Sequence, residues 1–393
     1  MSFFFANIIL ILKWTYTLLT YIKYQIKEAQ LMKKVLNIFI GIAAIVYLAA
    51  LICYSKAVTE SVVKAIKTCL TTIIPSLYAF MVVSGFVVSS NLYKALSKPF
   101  DIVSRYIFRI PTEYFSVFIL SSAAGYPIGA KLITDLHRQN KIDVSTAEKM
   151  LGYCYLGGPA FFCGVAGSAI YSSIKAGLLI FLCIFISNFI LGAALGLKNK
   201  VPQKEKEAKN SFDMSVHTFI DSIYSGGAGI LKICGAIIFF ASISAVLEET
   251  GAIAFAANRL SRLAGVSYSD CICIIRSILE ISNISGISHD VELMPIVTSL
   301  LSFGGLCVIM QVEGIIQNDL STNIYYLCRI ASIFISYFCC KIIIYVFEMD
   351  KIIQINSSFT VGYRHISPIP SLFLLIMTIL LLSNNYIAKN KKM

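Results

Sequence analysis

Apolar residues fall in runs long enough to cross a bilayer, and the breaks in those runs recur in a fixed order. Val35 to Tyr54 is an unbroken apolar run behind Met32-Lys33-Lys34, and Ala65 to Ser90 follows with Pro75 inside it. Residues 92–109 (LYKALSKPFDIVSRYIFR) alternate basic and apolar positions at helical spacing. That pattern belongs to a helix lying in the membrane interface rather than crossing it. Glu113 to His137 is apolar but interrupted at Gly125-Tyr126-Pro127-Ile128-Gly129. After a polar loop from Gln139 to Ser145, Ala147 to Tyr171 is interrupted at Gly157-Gly158-Pro159. Lys175 to Leu197 is a clean span.

The order then repeats. Beyond the charged stretch 198–210 (KNKVPQKEKEAKN), Ile230 to Leu247 is apolar and 253–263 (IAFAANRLSRL) is a second basic amphipathic segment. Cys271 to Ile281 breaks at Ser282-Asn283-Ile284-Ser285-Gly286, Leu293 to Ile315 breaks at Gly304-Gly305, and Ser321 to Phe347 is a long span. An offset of 161 carries Pro75 and Gly125 onto Ala236 and Gly286, while Gly158 and Gly305 differ by 147. The difference of 14 is expected at the polar loop 139–145, which the second half largely lacks. Each half has an odd number of crossings, so two copies must face opposite ways. The predicted fold is an all-α polytopic membrane protein of two inverted repeats, each with a re-entrant helical hairpin and a broken transmembrane helix.

The predicted organisation is an N-terminal extension over 1–31, a first transmembrane helix over 33–56, one repeat over 65–197, a cytoplasmic linker over 198–213, a second repeat over 214–348, and a C-terminal transmembrane helix with a basic tail over 369–393. Phe3 to Ile22 is apolar but broken by Lys13, and Met32 is the expected functional start.

Composition agrees with the pattern. Of 393 residues, 57% are hydrophobic and 14% charged, against about 25% charged in an ordinary soluble domain. A soluble enzyme and a disordered chain are both excluded on this ground. At about 20 apolar residues per span, the length allows roughly eight to eleven crossings. The net charge of +12 is read as an orientation signal, not as a nucleic-acid surface. With Lys33-Lys34 inside, the basic segment 92–109, Arg138, Lys141, Lys149, the linker and the last three lysines also fall inside. Fewer basic residues, among them Lys56, Lys175 and Arg259, fall outside. The 12 cysteines sit mostly in apolar runs, without the spacing of a zinc site.

Few residues remain to carry chemistry. Gly125, Tyr126, Pro127 and Gly129 end one helix and start another at membrane depth, where irregular backbone survives only if buried or lining a cavity. The second half-helix presents its N-terminal N–H groups there, and Lys131 lies one turn further on. Such donors suit an anionic carboxylate. Plain helix packing through G-x-x-x-G is the competing account of the glycines. Gly157, Gly158 and Pro159, with Gly304 and Gly305, mark the unwound points of the two broken helices, where a simple kink is the alternative. Glu280, Ser282, Asn283, Ser285 and Gly286 cluster at the second hairpin tip. An ionisable group in the membrane is a functional candidate by default, although Arg276 is placed for an intrahelical ion pair with Glu280. Gln311 follows the second break as a candidate cavity residue. His289-Asp290 reads best as a polar return from the hairpin. No cofactor, metal site or nucleic-acid partner is expected, no enzyme motif stands out, and the coupling ion and oligomeric state are left open.

Several of these segments resemble the sporulation integral membrane proteins of the YlbJ (SpoVV) type, which carry a nucleoside-recognition gate domain. The matching pieces are Ile-Pro-Ser-Leu at 74–77, Phe-Arg-Ile-Pro at 108–111, Gly125 to Leu132, Gly158-Pro159 with Phe161, Leu-Glu-Ile at 279–281, and Ser302-Phe303-Gly304-Gly305-Leu306 with Gln311-Val312. They span about residues 33 to 347, and the sequence departs at Tyr155-Leu156-Gly157, where Asn or Ser is expected. The resemblance implies a fold like that of concentrative nucleoside transporters. It also implies a role in spore formation: export of dipicolinic acid from the mother cell across the outer forespore membrane. Two other readings stay open, a transporter of nucleosides or another small metabolite, and a non-transporting scaffold for the spore envelope. The expected partners are a small anionic substrate and the lipid bilayer.

Overall fold

A computed structural model describes residues 37–197, 199–202 and 212–347. The predicted extension over 1–31, the Met32 start, most of the linker and the C-terminal helix over 369–393 lie outside the described residues. Residues up to Thr59 form one unit and those from Glu60 onward another. The first contains helix α1 (Asn37–Cys53); α2 (Ser55–Thr68) begins in it and runs on into the second.

The second unit carries both repeats. In the first, α3 (Ile74–Ser89) turns sharply into α4 (Leu92–Ser97), and the helical stretches Leu77–Ser89 and Leu92–Phe100 meet at 91°. Then come α5 (Phe115–Ala124), α6 (Ile128–Arg138), α7 (Val144–Tyr153), α8 (Pro159–Phe161) with its π-helical continuation Phe162–Ile170, and α9 (Ile174–Gly196). In the second repeat, α10 (Val216–Glu249) turns into α11 (Ala252–Ala264). These are followed by α12 (Tyr268–Leu279), a 3-10 turn Ile281–Gly286, α13 (Met294–Phe303), α14 (Gly305–Ile316) and α15 (Asn323–Phe347).

Among the described residues, four helices are long and apolar enough to cross a membrane, six if each of two bent pairs counts as one span. The protein is an all-α polytopic membrane protein. The broken stretch Val291–Ile316 counts as one of these spans, the predicted C-terminal helix over 369–393 lies outside the described residues, and the short interrupted elements of the first repeat do not qualify singly. The eleven residues of α6 rise only about 16 Å, roughly half of a 30 Å hydrocarbon core.

Hydrogen bonds show that each hairpin enters and leaves at the same end. Tyr114, before α5, donates its hydroxyl to the Lys141 carbonyl after α6 at 2.5 Å. The same end gathers Arg138 with Asp319 at 2.6 Å and the Ser321 N–H with Glu148 at 2.9 Å. Asp143, which caps α7 there, accepts the Thr146 N–H at 2.9 Å. Burial opposes its ionisation, but the hydrogen bonds from Thr146 hold its carboxyl below the usual carboxylate range. The second hairpin closes elsewhere. Asp270 at the start of α12 accepts the Ser288 N–H at 2.7 Å, the Ser288 hydroxyl at 3.1 Å and the Ser267 hydroxyl at 2.6 Å. His289 beside it bonds the Ile170 carbonyl at the far end of the α8 continuation. The chain runs from the first end to the second through α7 and α8, and returns through α9, whose last turn is held by Arg109 donating to Leu197 at 2.8 Å. The hairpins therefore open toward opposite ends.

The basic segment 92–109 does more than lie flat. Phe108 is fully buried against Gly192 and Gly196 of α9, where a Cβ would collide with its ring and its backbone. Its ring meets those of Phe115, Phe118, Tyr153 and Phe189.

The repeats differ in the return limb. The first hairpin comes back through the eleven-residue α6, the second through six residues of 3-10 helix. The shift in repeat offset thus arises in the return limb as well as in the polar loop.

Replacing Asp270 by Ala leaves the Ser288 N–H and two hydroxyls without their acceptor, an expected loss of about 1–3 kcal/mol for hydrogen bonds to a buried carboxylate. Thermal unfolding in detergent is expected to show a clear drop for Asp270→Ala. It is expected to show almost none for Asp290→Ala, whose exposed carboxylate caps only the short turn Val291–Leu293.

Candidate functional site

The site begins at the two interruptions of the first repeat. Gly125 ends α5 at φ +95°, a conformation that favours glycine. Its N–H is held by Ser121 at 3.1 Å, and its carbonyl takes the Ile128 N–H at 3.0 Å. The peptide from Tyr126 to Pro127 is cis, and α6 starts immediately after it. Across from this tip, Gly157 and Gly158 lead into Pro159, the first residue of α8, where a missing N–H costs nothing. The two breaks touch through backbone. A Cβ on Gly125 would stand 2.8 Å from the Gly158 nitrogen, and one on Gly157 would stand 2.8 Å from the rings of Tyr126 and Phe162. Gly129 is a packing glycine, since a Cβ there would run into the Cys154 carbonyl at the end of α7.

The second repeat builds the same contact from different residues. Glu280 follows α12 in extended conformation and starts the 3-10 turn. Its carboxylate accepts the Ser282 N–H at 3.1 Å and the Ser282 hydroxyl. Asn283 donates to the Glu280 carbonyl at 3.0 Å. Arg276 reaches Glu248 of α10 at 2.8 Å, so it is not the helical partner of Glu280. Gly304 and Gly305 both take positive φ, +83° and +80°. A Cβ on Gly305 would lie 3.0 Å from the Ser277 carbonyl and 3.2 Å from the Ile281 nitrogen, so the break presses on the hairpin tip. Ser285 donates to the Ser282 carbonyl at 3.2 Å, and Ser285 and Gly286 are exposed. Gln311 is buried nearly two turns beyond the break, 3.3 Å from the Cys307 sulfur.

The repeats meet at the end of α13. An α-helix leaves its last four carbonyls without partners, and here each one has a donor. Leu300 accepts the Gly304 N–H at 2.9 Å. Leu301 accepts the Tyr126 hydroxyl from the first hairpin tip. Ser302 accepts the Arg329 guanidinium at 3.2 Å, and Phe303 accepts the Tyr155 hydroxyl at 3.1 Å. The rings of Tyr126 and Tyr155 pack against each other, 4.9 Å between centroids and tilted by 48°. Tyr126, Gly125, Gly157, Gly158 and Gly304 are therefore one assembly, with Gly305 and Glu280 against its second face.

Lys131 stands apart from it. Its side chain is buried among α6, α3 and α10, with Nζ 2.5 Å from Asp135 and 2.9 Å from the Ser225 hydroxyl. The ammonium lies about a van der Waals contact from the position of a Cβ on Gly85. Asp135, four residues on, is its helical ion-pair partner.

Arg329 is the residue that sequence reasoning missed. It lies inside the apolar run 321–347, and a charge at that depth was the available signal. The two tyrosines carried no such mark, because an aromatic in an apolar helix reads as packing.

Interrupted helices from both halves meeting at mid-chain depth define a polytopic membrane protein with a preformed central junction. The chain is similar to the sporulation integral membrane protein YlbJ of Bacillus subtilis, at 22% identity over 287 residues, covering 66% of this chain and 70% of the relative. No family model matches it, and no solved structure matches it.

Gly304→Ala forces a Cβ into the Tyr155 hydroxyl, whereas Gly251→Ala, at φ +74°, meets nothing within 4 Å. Both pay for positive φ, about 1–2 kcal/mol. Gly304→Ala is expected to unfold at a clearly lower temperature than Gly251→Ala. Adding Tyr155→Phe to Gly304→Ala is expected to cost less than the two changes summed, read as a double-mutant cycle on thermal stability.

Proposed function

We propose that the protein is a secondary transporter of a small anionic metabolite, and that the metabolite is dipicolinate, moved from mother cell to forespore by alternating access. The observation that carries the reading is the convergence of the four interruptions, 125–127, 154–158, 280–286 and 304–305, in hairpins open to opposite ends. A membrane protein that only holds others together has no need to unwind four helices in lipid and then bring donors from both repeats to the freed carbonyls of α13. No enzymatic step is part of the proposal. The sporulation assignment rests on the similarity to YlbJ and on the motif resemblance. The outer forespore membrane is the location this reading proposes, supported by the motif resemblance.

Dipicolinate is a planar ring bearing two carboxylates. Lys131 is the buried cation assigned to one of them, exchanging Asp135 for the substrate. Tyr126, tilted against Tyr155, is the aromatic side chain assigned to the ring. The N-terminal turns of α6, α8 and α14 supply N–H groups to anionic oxygens.

Purified protein in liposomes is expected to accumulate labelled dipicolinate, with unlabelled dipicolinate competing and uridine or adenosine not. Lys131→Ala is expected to lower the initial rate at least tenfold, and Lys131→Arg to keep a substantial part of it. Uptake of nucleosides in place of dipicolinate would establish the nucleoside reading, and uptake of neither would favour a scaffold.

A further inference from the structure

Arg329 is 1% exposed and has no carboxylate within ion-pair distance among the described residues. A buried charge without a counter-charge is costly, and this one is held by neutral oxygens alone. Its guanidinium donates to the Gly152 carbonyl at 2.6 Å, the Ser302 carbonyl at 3.2 Å and the Asn188 side-chain oxygen at 3.0 Å. Nε has no hydrogen-bond partner, and the rings of Tyr155 and Tyr325 lie 4.3 Å and 5.7 Å away.

The two backbone oxygens are not arbitrary. Gly152 is in the last turn of α7, and Ser302 is in the last turn of α13. These are the two half-helices that stop at the breaks of the two repeats. Each helix C-terminus carries about half a negative charge, so two together amount to roughly one, which a single guanidinium balances. Arg329 reaches both because Gly152 has no side chain: a Cβ there would sit 2.7 Å from the sulfur of Cys328 on α15.

In transporters built from broken helices, half-helix C-termini and unwound carbonyls are where coupling cations bind. We propose that Arg329 fills that position as a cation tethered to the protein: it joins the carboxyl ends of α7 and α13, and the junction needs no sodium ion. Arg329 is in this sense a positioning residue for the breaks. The consequence for flux, that transport runs without a sodium gradient, rests on the transporter reading; the electrostatic role does not.

The test measures Tm of the full chain in detergent, in NaCl or LiCl against choline chloride at equal ionic strength. Wild type is expected to unfold at the same temperature in all three. Arg329→Gln is expected to unfold lower in choline and to recover part of the loss in NaCl or LiCl, while Arg329→Lys falls between them and stays indifferent to the salt. A wild-type Tm raised by sodium overturns the proposal, as does Arg329→Gln equal to wild type, or lowered but not rescued by either small cation. If Arg329→Gln does not fold, Arg329→Lys decides: sodium indifference supports a tethered cation and a sodium-dependent rise overturns it. In liposomes, equal dipicolinate flux with and without sodium is expected. Sodium-dependent flux overturns the proposal, whereas absence of dipicolinate flux under every condition fails the transporter reading and leaves the Tm result to decide Arg329.

Discussion

Four carbonyl oxygens at the end of α13 set the arrangement of everything around them. In lipid an unpaired carbonyl costs several kcal/mol, so a helix that stops at mid-depth must find donors from elsewhere in the chain. One comes from the next backbone N–H, at Gly304, and the others come from Tyr126, Arg329 and Tyr155. These three residues lie on the first hairpin tip, on the last described helix and just after α7. Satisfying one helix end therefore fixes the relative positions of both repeats. The glycine at 304 follows from the same requirement, because a side chain there would displace the tyrosine that caps Phe303.

That junction is polar but almost free of unlike-charge pairs. The ion pairs lie around it: Lys131 with Asp135 to one side, Arg276 with Glu248 to the other, Arg138 with Asp319 at one end. Serines continue the junction into the helix packing. Ser187 and Ser302 both donate to the Ser332 carbonyl, and Ser332 donates to that of Arg329. Hydrogen bonds among small polar groups let α9, α13 and α15 pack closely without a strong electrostatic lock.

The order of elements was legible in the sequence because apolar runs, amphipathic segments and glycine breaks each leave a periodicity or a gap. The breaks at 125–127, 157–159 and 304–305 were legible for the same reason, since Gly and Pro punctuate a helix wherever it lies. Partners were not. Lys131 carried no mark that Asp135 and Ser225 hold it, and Arg276 lay at helical spacing from Glu280 yet bonds Glu248. Long side chains choose partners by tertiary position, and several residues lay within reach of each. Arg329 was visible as a charge in an apolar run, but its meaning depends on two helix ends that lie far from it in sequence. The uneven return limbs were hidden too, because a 3-10 turn and an α-helix of similar composition differ little in hydrophobic pattern at six residues.

The uneven limbs make the two hairpins mechanically unlike. One returns through three turns of α-helix buried on most of its residues, the other through a 3-10 turn whose tip is exposed and whose base hangs on the single carboxylate of Asp270. Any motion that exchanges the roles of the two ends cannot be a symmetrical seesaw. In the proposed transport cycle the two extremes then differ in free energy before any ligand arrives, and the resting side is chosen by the stiffness of a few residues rather than by what is bound.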